Sequence, residues 1–577
     1  MDKGRALRVA IVGAGPRGTS VLERLVAHWL AIPAADRRRM DLHLVDPFDP
    51  GPGHVWRPDQ SRHFLMNTPS LFPTVVPVGA AAAGTAASPV ASSFDDWRSL
   101  MHTEPAAELS DGDRAELASL TSVAFPSRPL YGRYLAWVHA RLLDCAGDGF
   151  DVVHHRAEAR HLQRTGTTYE LALSDGTQLN CDSVVLALGH LPANLNREQE
   201  TLRDGAARLG VRYLPPNVPA DVDWRRFPAG KTVLVRGLGL NFFDAMIQLT
   251  EGRGGEFVPT GEPAGKALAY EPSGKEPLIV AASRRGTPYR AKAKLDSYVP
   301  RGVSLRYCTL ENAGRFAADG IQPGFDHDLW PLLHRDAVWA YYDTLDRVSG
   351  VISPDFLTLL SGALDSSDSE WRSALERVLL DSVPAECRLN LERIAQPFAR
   401  RKFASAAAYN AAMLEYLEVD AAGSALGEDD PLKMAIGAMN AGRSVIKRIV
   451  ADGGLTENAW TAELRGWFEP LVEGLASGPP ALRIEQLAAL ARAGVVEFAG
   501  PSPRFDLDSE RGRFTVSSPW VEGGTYAGES MVEAMMPANR VEQNISELVR
   551  RMLEEGLVRP RTMMADDGVP VNSAGFD

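Results

Sequence analysis

Two glycine-rich stretches in this 577-residue chain each follow a short β-branched run and precede an amphipathic one. The first is Gly13-Ala14-Gly15-Pro16-Arg17-Gly18, after RVAIV; the second is Gly237-Leu238-Gly239-Leu240-Asn241, after KTVLVR. Bare backbone at such a turn lets N–H groups approach a pyrophosphate, and the helix beyond points its positive end at the phosphates. In the first stretch the glycines serve a tight turn, close phosphate approach and helix–strand packing, with Pro16 and Arg17 at the start of the helix. Asp46 ends the next apolar run (DLHLVDP) and offers an acceptor to a ribose diol. It lies farther from Gly18 than the roughly 20 residues usual for the motif, so the Arg37-Arg38-Arg39 turn must loop out.

The second stretch departs from this pattern, with Asn241 and then Phe242 where the first has Arg17 and Gly18. Asn tolerates unusual backbone angles, so the turn is feasible, with looser helix packing. The following strand (PLIVAAS) closes on Ser283-Arg284-Arg285. An acid there would repel a 2′-phosphate, whereas arginines offer it charge-assisted, bidentate hydrogen bonds. NADPH is therefore expected over NADH, with ordinary surface arginines as the competing reading. Two cradles in one chain have a joint reason: a nicotinamide delivers hydride to a second bound dinucleotide, a flavin.

A further pair of arginines suits anion chemistry. Arg290 lies in Thr287-Pro288-Tyr289-Arg290-Ala291-Lys292, just past the phosphate reader. Arg443 lies in Met439-Asn440-Ala441-Gly442-Arg443-Ser444, expected at a helix start. Guanidinium forks match carboxylates, so convergence of the two on a flavin implies a small anionic substrate. Salt bridges are the alternative for either residue. His54, His63 and His190 fall near the expected cofactor loops, and none is assigned as a base.

The elements that must position these residues read as α/β: two Rossmann-like dinucleotide-binding domains with a large helical insertion. Residues 1–229 are assigned to a first, FAD-binding domain. Residues 230–295 form the NADPH-binding domain. A mostly helical region, 296–480, is expected to bind substrate and complete the NADPH domain, and 481–577 to return to the FAD domain and end in a tail. The small-residue stretch GAAAAGTAASPVASS (79–93) cannot pack a core and reads as a surface loop.

Composition narrows the function classes. A 45% hydrophobic share with 8% aromatics is that of a globular protein. The net charge of −13 opposes a nucleic-acid partner. Four widely spaced cysteines without a CxxC carry neither a dithiol redox motif nor a thiolate zinc signature, and no metal is expected. No apolar run approaches the ~20 residues of a membrane span, and a cytoplasmic location is expected.

Taken in order, the motifs resemble the flavin-dependent N-hydroxylating monooxygenases, which carry two dinucleotide-binding domains. The resemblance implies FAD on the first cradle and places cofactor contacts on further residues. These are Trp56, in GPGHVW after Asp46; Met66, Asn67 and Thr68, in HFLMNTP beside the flavin ring; and Arg128, at the start of a covering helix. Asn67, Arg290 and Arg443 are the implied catalytic-site residues. The chain resembles the bacterial enzymes that oxidise L-aspartate through N-hydroxyaspartate to nitrosuccinate in natural-product (antibiotic) biosynthesis. That resemblance implies NADPH, O2 and a small amino acid as reactants, with a flavin hydroperoxide as oxidant, and leaves a homo-oligomer open. An FAD-dependent NADPH oxidoreductase serving a quinone or carrier protein is the rival reading, and a non-catalytic FAD-binding scaffold a further one.

Overall fold

The β-branched runs before the two glycine turns each become the inner strand of a parallel sheet, as a strand covered on both faces requires. In the computed structural model, which describes residues 5–104, 108–318, 322–350, 353–451, 454–564 and 568–577, Leu7–Val12 lies between Met40–Val45 and Ser183–Leu186, with Phe150–His155 outermost. Helices Pro16–Ala31 and Arg128–Ala146 cover one face. The other is covered by an antiparallel sheet of Ala159–Thr165, Thr168–Leu173 and Gln178–Cys181.

The second sheet has five parallel strands in the order Val496–Pro501, Leu278–Ser283, Thr232–Arg236, Ser530–Glu533, Arg212–Leu214. Helix Leu240–Leu249 follows its central strand. Its apolar face joins Val233, Val235 and Ile279 in a core shared with Tyr409, Met413, Ile484 and Leu487. The last four come from helices Ala406–Leu426 and Ala481–Arg492, so these helices complete the second domain.

Two boundaries differ from the sequence reading. Arg212–Leu214, expected in the first domain, pairs with Ser530–Glu533 in the second sheet. Residues 496–533, expected to return to the first domain, supply two strands of the second. The return comes later, when Leu548 and Met552 of helix Glu547–Glu554 pack with Ala10, Val12 and Val45. Short strands carry no label for the sheet they join; pairing across hundreds of residues decides it.

Most of the remaining helices form a separate lobe. Trp330–Ser349 packs along Pro431–Ala451, and a Cβ at Gly442 would press on Leu333 at their crossing. Arg443 therefore lies inside the Pro431–Ala451 helix and not at a helix start. Residues 79–93 form a loop with one turn of 3-10 helix at Gly79–Ala82.

Candidate active site

The first cradle has the geometry its glycines require. Gly13 adopts φ +99°, where a side chain would be strained, and a Cβ there would collide with the Ala187 carbonyl. A Cβ on Gly18 would strike Gly13 and crowd Ile11, so helix and strand pack at backbone contact. Gly15 differs: its Cβ would meet only the Cα of Gly53, at 3.7 Å. That bare face gives a pyrophosphate room to approach, so the loop fits FAD. Pro16 occupies the first helical turn with exposed Arg17 beside it.

Asp46, expected at a ribose diol, is bonded to the glycine loop and to its own turn. One carboxylate oxygen accepts from the Ala14 N–H at 2.7 Å and the other from the Phe48 N–H at 2.8 Å. It ties its own turn to the glycine loop, and each oxygen keeps a further lone pair. The GPG turn closes over the same loop, with Gly51 N donating to the Ala14 carbonyl at 2.8 Å.

Residues 64–66 lie beside 126–128: Met66 N donates to the Pro126 carbonyl at 2.9 Å, and Arg128 N to the Phe64 carbonyl at 2.8 Å. Arg128 then crosses to the second domain, where its guanidinium donates to Asp244 at 2.6 Å. Burial pushes the Asp244 carboxyl up, and the Arg128 charge opposes that shift. Arg483 reaches the His63 carbonyl from the other side and donates to Gln486 at 2.6 Å; burial lowers its pKa to about 10. Gln248 to Ser61 at 2.7 Å and Arg57 to Asp221 at 2.8 Å add further ties between the domains.

These contacts enclose a cleft of about 180 Å³. Trp56, Met66, Asn67 and Arg128 line it from the first cradle, and Leu240, Asn241 and Asp244 from the second. Trp56 is held edge-on to Tyr131, ring centroids 5.0 Å apart. His190 also lines the cleft, and its pKa is lowered by desolvation and by the nearby Arg17 and His54 charges.

In the second cradle Gly237 adopts φ +115° and Gly239 borders open space, its nearest neighbour being the Tyr289 ring at 3.8 Å. Asn241 donates to the Asn217 carbonyl at 3.2 Å, a side-chain anchor for the turn. The expected phosphate readers part company. Arg284 is exposed at the strand end, free to meet a phosphate. Arg285 instead turns into the helical lobe, donating to the Pro470 carbonyl at 3.0 Å, and burial lowers its pKa. Ser283 Oγ accepts from Gly286 N at 3.2 Å and shapes this turn.

A second cavity, of about 160 Å³, adjoins the cleft. Thr68 and Pro69 line it, while Asn67 lines the cleft, so the segment at 65–69 is their common wall. Lys292 and Asn440 are among the other lining residues, and Arg443 follows one helical turn beyond Asn440. Arg290 does not line either cavity. Its guanidinium donates to Asp420 at 3.1 Å and lies 4.8 Å from the Tyr416 ring centroid. Asp420 also accepts from Ala291 N at 2.7 Å and Lys433 Nζ at 2.8 Å. Arg290, expected as an anchor, thus sits in the cavity's supporting wall with its fork held by a buried acid.

The sequence reading passed over Lys292, Asp420, Lys433 and Asp244 as site residues. Asp244 had a signal, since it is the lone acid in the apolar helix LNFFDAMIQL, and unpaired buried acids are rare. Lys292 stands two residues from Arg290 in the same stretch. Asp420 and Lys433 sit on ordinary amphipathic helices, and only packing marks them. Among the described residues no cluster of His, Cys, Asp or Glu is arranged to hold a metal, and no helix is long and apolar enough to cross a membrane.

Two nucleotide cradles facing one cleft, with a cationic cavity against its wall, define a flavoprotein with two dinucleotide-binding domains. An FAD-NAD(P)-binding family model matches residues 10–191. An L-aspartate N-monooxygenase (nitrosuccinate-forming) of Streptomyces cremeus is 36% identical over 96% of this chain and 84% of its own length. The nitrosuccinic acid synthase npaA of Aspergillus oryzae is 36% identical over 96% of this chain and 82% of its own. The chain belongs to this family of flavin-dependent monooxygenases, and the carrier-reductase reading is not favoured. Among solved structures, an ornithine hydroxylase from Pseudomonas aeruginosa aligns with 99% of this chain and 90% of its own, at 11% identity and TM-score 0.39, too loose a likeness to carry an argument.

Proposed function

We propose that the protein oxidises L-aspartate at nitrogen, using NADPH and O2, through N-hydroxyaspartate to nitrosuccinate, in the cytoplasm. The observation that carries this reading is the wall at 65–69, which sets a small cationic cavity against the cleft shared by both cradles. The names of the relatives point to the same substrate.

When bound, FAD supplies the redox chemistry that accepts hydride from NADPH and activates oxygen. The residues proposed to hold it are Gly13, Gly15, Pro16, Arg17 and Gly18 at the pyrophosphate and Asp46 at the ribose. Trp56, Met66, Asn67, Thr68 and Arg128 border the space beyond. Gly237, Gly239 and Asn241 would cradle NADPH, with Ser283 shaping the turn from which Arg284 meets the 2′-phosphate. Arg128, Asp244 and Arg483 bind the two domains together at the cleft, keeping the cradles opposed and excluding water from part of its wall. Asn67 would orient the reactants from the cleft side, and Arg443 would draw the substrate carboxylates to the other. Free cysteines at 145, 181, 308 and 387 suit a reducing compartment.

The test is to reduce the holoenzyme with NADPH without oxygen, then admit oxygen with and without L-aspartate. Nitrosuccinate formation that requires both NADPH and aspartate is expected. Equal NADPH consumption with and without aspartate, and no N-oxygenated product, would overturn the reading.

A further inference from the structure

Lys292 lines the second cavity, Arg443 on the adjoining helix is near enough for its charge to act on Lys292, and neither has an acidic partner among the described residues. Lys292 Nζ donates to the Ala476 carbonyl at 3.0 Å. Desolvation, with the Arg443 charge acting in the same direction, lowers its pKa to about 8. The Nε of Arg443 is buried without a hydrogen-bond partner. Lys433 also lines the cavity but already donates to Asp420, which holds Arg290 as well. The charged groups here are four cations, Lys292, Arg443, Lys433 and Arg290, against the acids Asp420 and Asp430, both of which act on Lys433 and Arg290; Tyr298 is the remaining titratable lining residue. Two like charges enclosed side by side without a counter-ion are unfavourable, and an anion entering the cavity removes that cost.

We propose that Lys292 and Arg443 form the seat for a carboxylate of the substrate, and that Lys292 takes up a proton as the carboxylate binds. The inference rests on the amino-acid reading above and adds a residue and a proton to it. The proton balance is Lys–NH2 plus H⁺ giving Lys–NH3⁺, with the carboxylate as counter-ion. With an amino acid in the seat, that proton can come from its ammonium group, which must lose one before nitrogen acts as a nucleophile.

The sign follows from linkage. Below pH ~7 Lys292 is already protonated and binding takes up little. Between about pH 8 and the raised value of the bound state, the complex holds a proton that the free protein lacks. Apparent affinity therefore declines as pH rises through that interval.

Titration calorimetry of the holoenzyme with succinate, in buffers of different ionisation enthalpy, reads the proton directly and needs no turnover. Expected are proton uptake approaching one at about pH 9 and little at about pH 6. Lys292→Met should weaken succinate binding roughly tenfold or more and abolish the uptake. Lys292→Arg should retain binding to within about threefold but take up no proton, because its guanidinium stays charged. Flavin content and anaerobic NADPH reduction report whether each variant is folded. Wild-type-like succinate binding in a folded Lys292→Met, or no uptake by the wild type near pH ~9, would overturn the proposal. Turnover of L-aspartate by the wild type is scored separately, so failure of the seat and failure of the substrate assignment are distinguishable.

Discussion

Arg290 and Lys292 stand two residues apart in one stretch, yet they differ in what surrounds them. Asp420 neutralises the first, while the second meets only a carbonyl and another cation. A guanidinium engaged by a buried acid is a poor ligand-binding group, whereas an amine without a counter-charge is a good one. The Arg128–Asp244 pair follows the same logic. Arg128→Met would leave Asp244 buried and unpaired, and should cost about 3–5 kcal/mol of stability. The Asp244 carboxyl already lies above its unfolded value, so the folded state holds more protons and stability declines as pH rises through that interval. Denaturant titrations should find the loss greater at about pH 8 than at about pH 5. Gly13→Ala has a different target: a Cβ at φ +99° against the Ala187 carbonyl should displace the loop. Protein purified with little or no flavin absorbance is the expected outcome.

At the scale of elements, the turn after the strand ending at Ser283 is the element proposed to set the nicotinamide choice. Of its two arginines, only Arg284 is exposed; Arg285 is held against the helical lobe. Arg284→Ala should therefore raise the KM for NADPH about tenfold, equivalent to ~1.4 kcal/mol, while leaving the KM for NADH and the flavin content nearly unchanged. Steady-state kinetics with both nucleotides checks this, and a parallel rise for NADH would point to general damage of the cradle. The segment at 65–69 is the other deciding element. It is tied at its start to 126–128 and bends at Asn67 and Thr68, so neighbouring residues face different spaces. Asn67 and Thr68 consequently contribute to different cavities.

Across the whole molecule, the chain leaves the first domain, builds the second in pieces around a helical lobe, and comes back. Helix Glu547–Glu554 secures the return by placing Leu548 and Met552 under the first sheet. Leu548→Ala should cost about 2–5 kcal/mol through lost burial and the cavity left behind. Because this residue lies hundreds of positions from the cradle it supports, the readout is telling: flavin release on heating should shift down together with global unfolding. Unchanged flavin release would show that the returning helix is dispensable to the first domain.

The two cradles were legible in the sequence because their demands are local. A turn at positive φ, backbone open to a phosphate and a helix beginning at once are met by consecutive residues, and Gly13 to Gly18 and Gly237 to Asn241 state them outright. The order of motifs likewise named the family. What only the tertiary structure decided is which charges face each other: Asp420 against Arg290, Asp244 against Arg128, and nothing acidic against Lys292. Electrostatic partnership depends on separation in space and exclusion of water, and residues more than a hundred positions apart acquire both only when the helices carrying them pack. For the same reason, the strands at 212–214, 496–501 and 530–533 found their sheet by long-range pairing and not by their place in the chain.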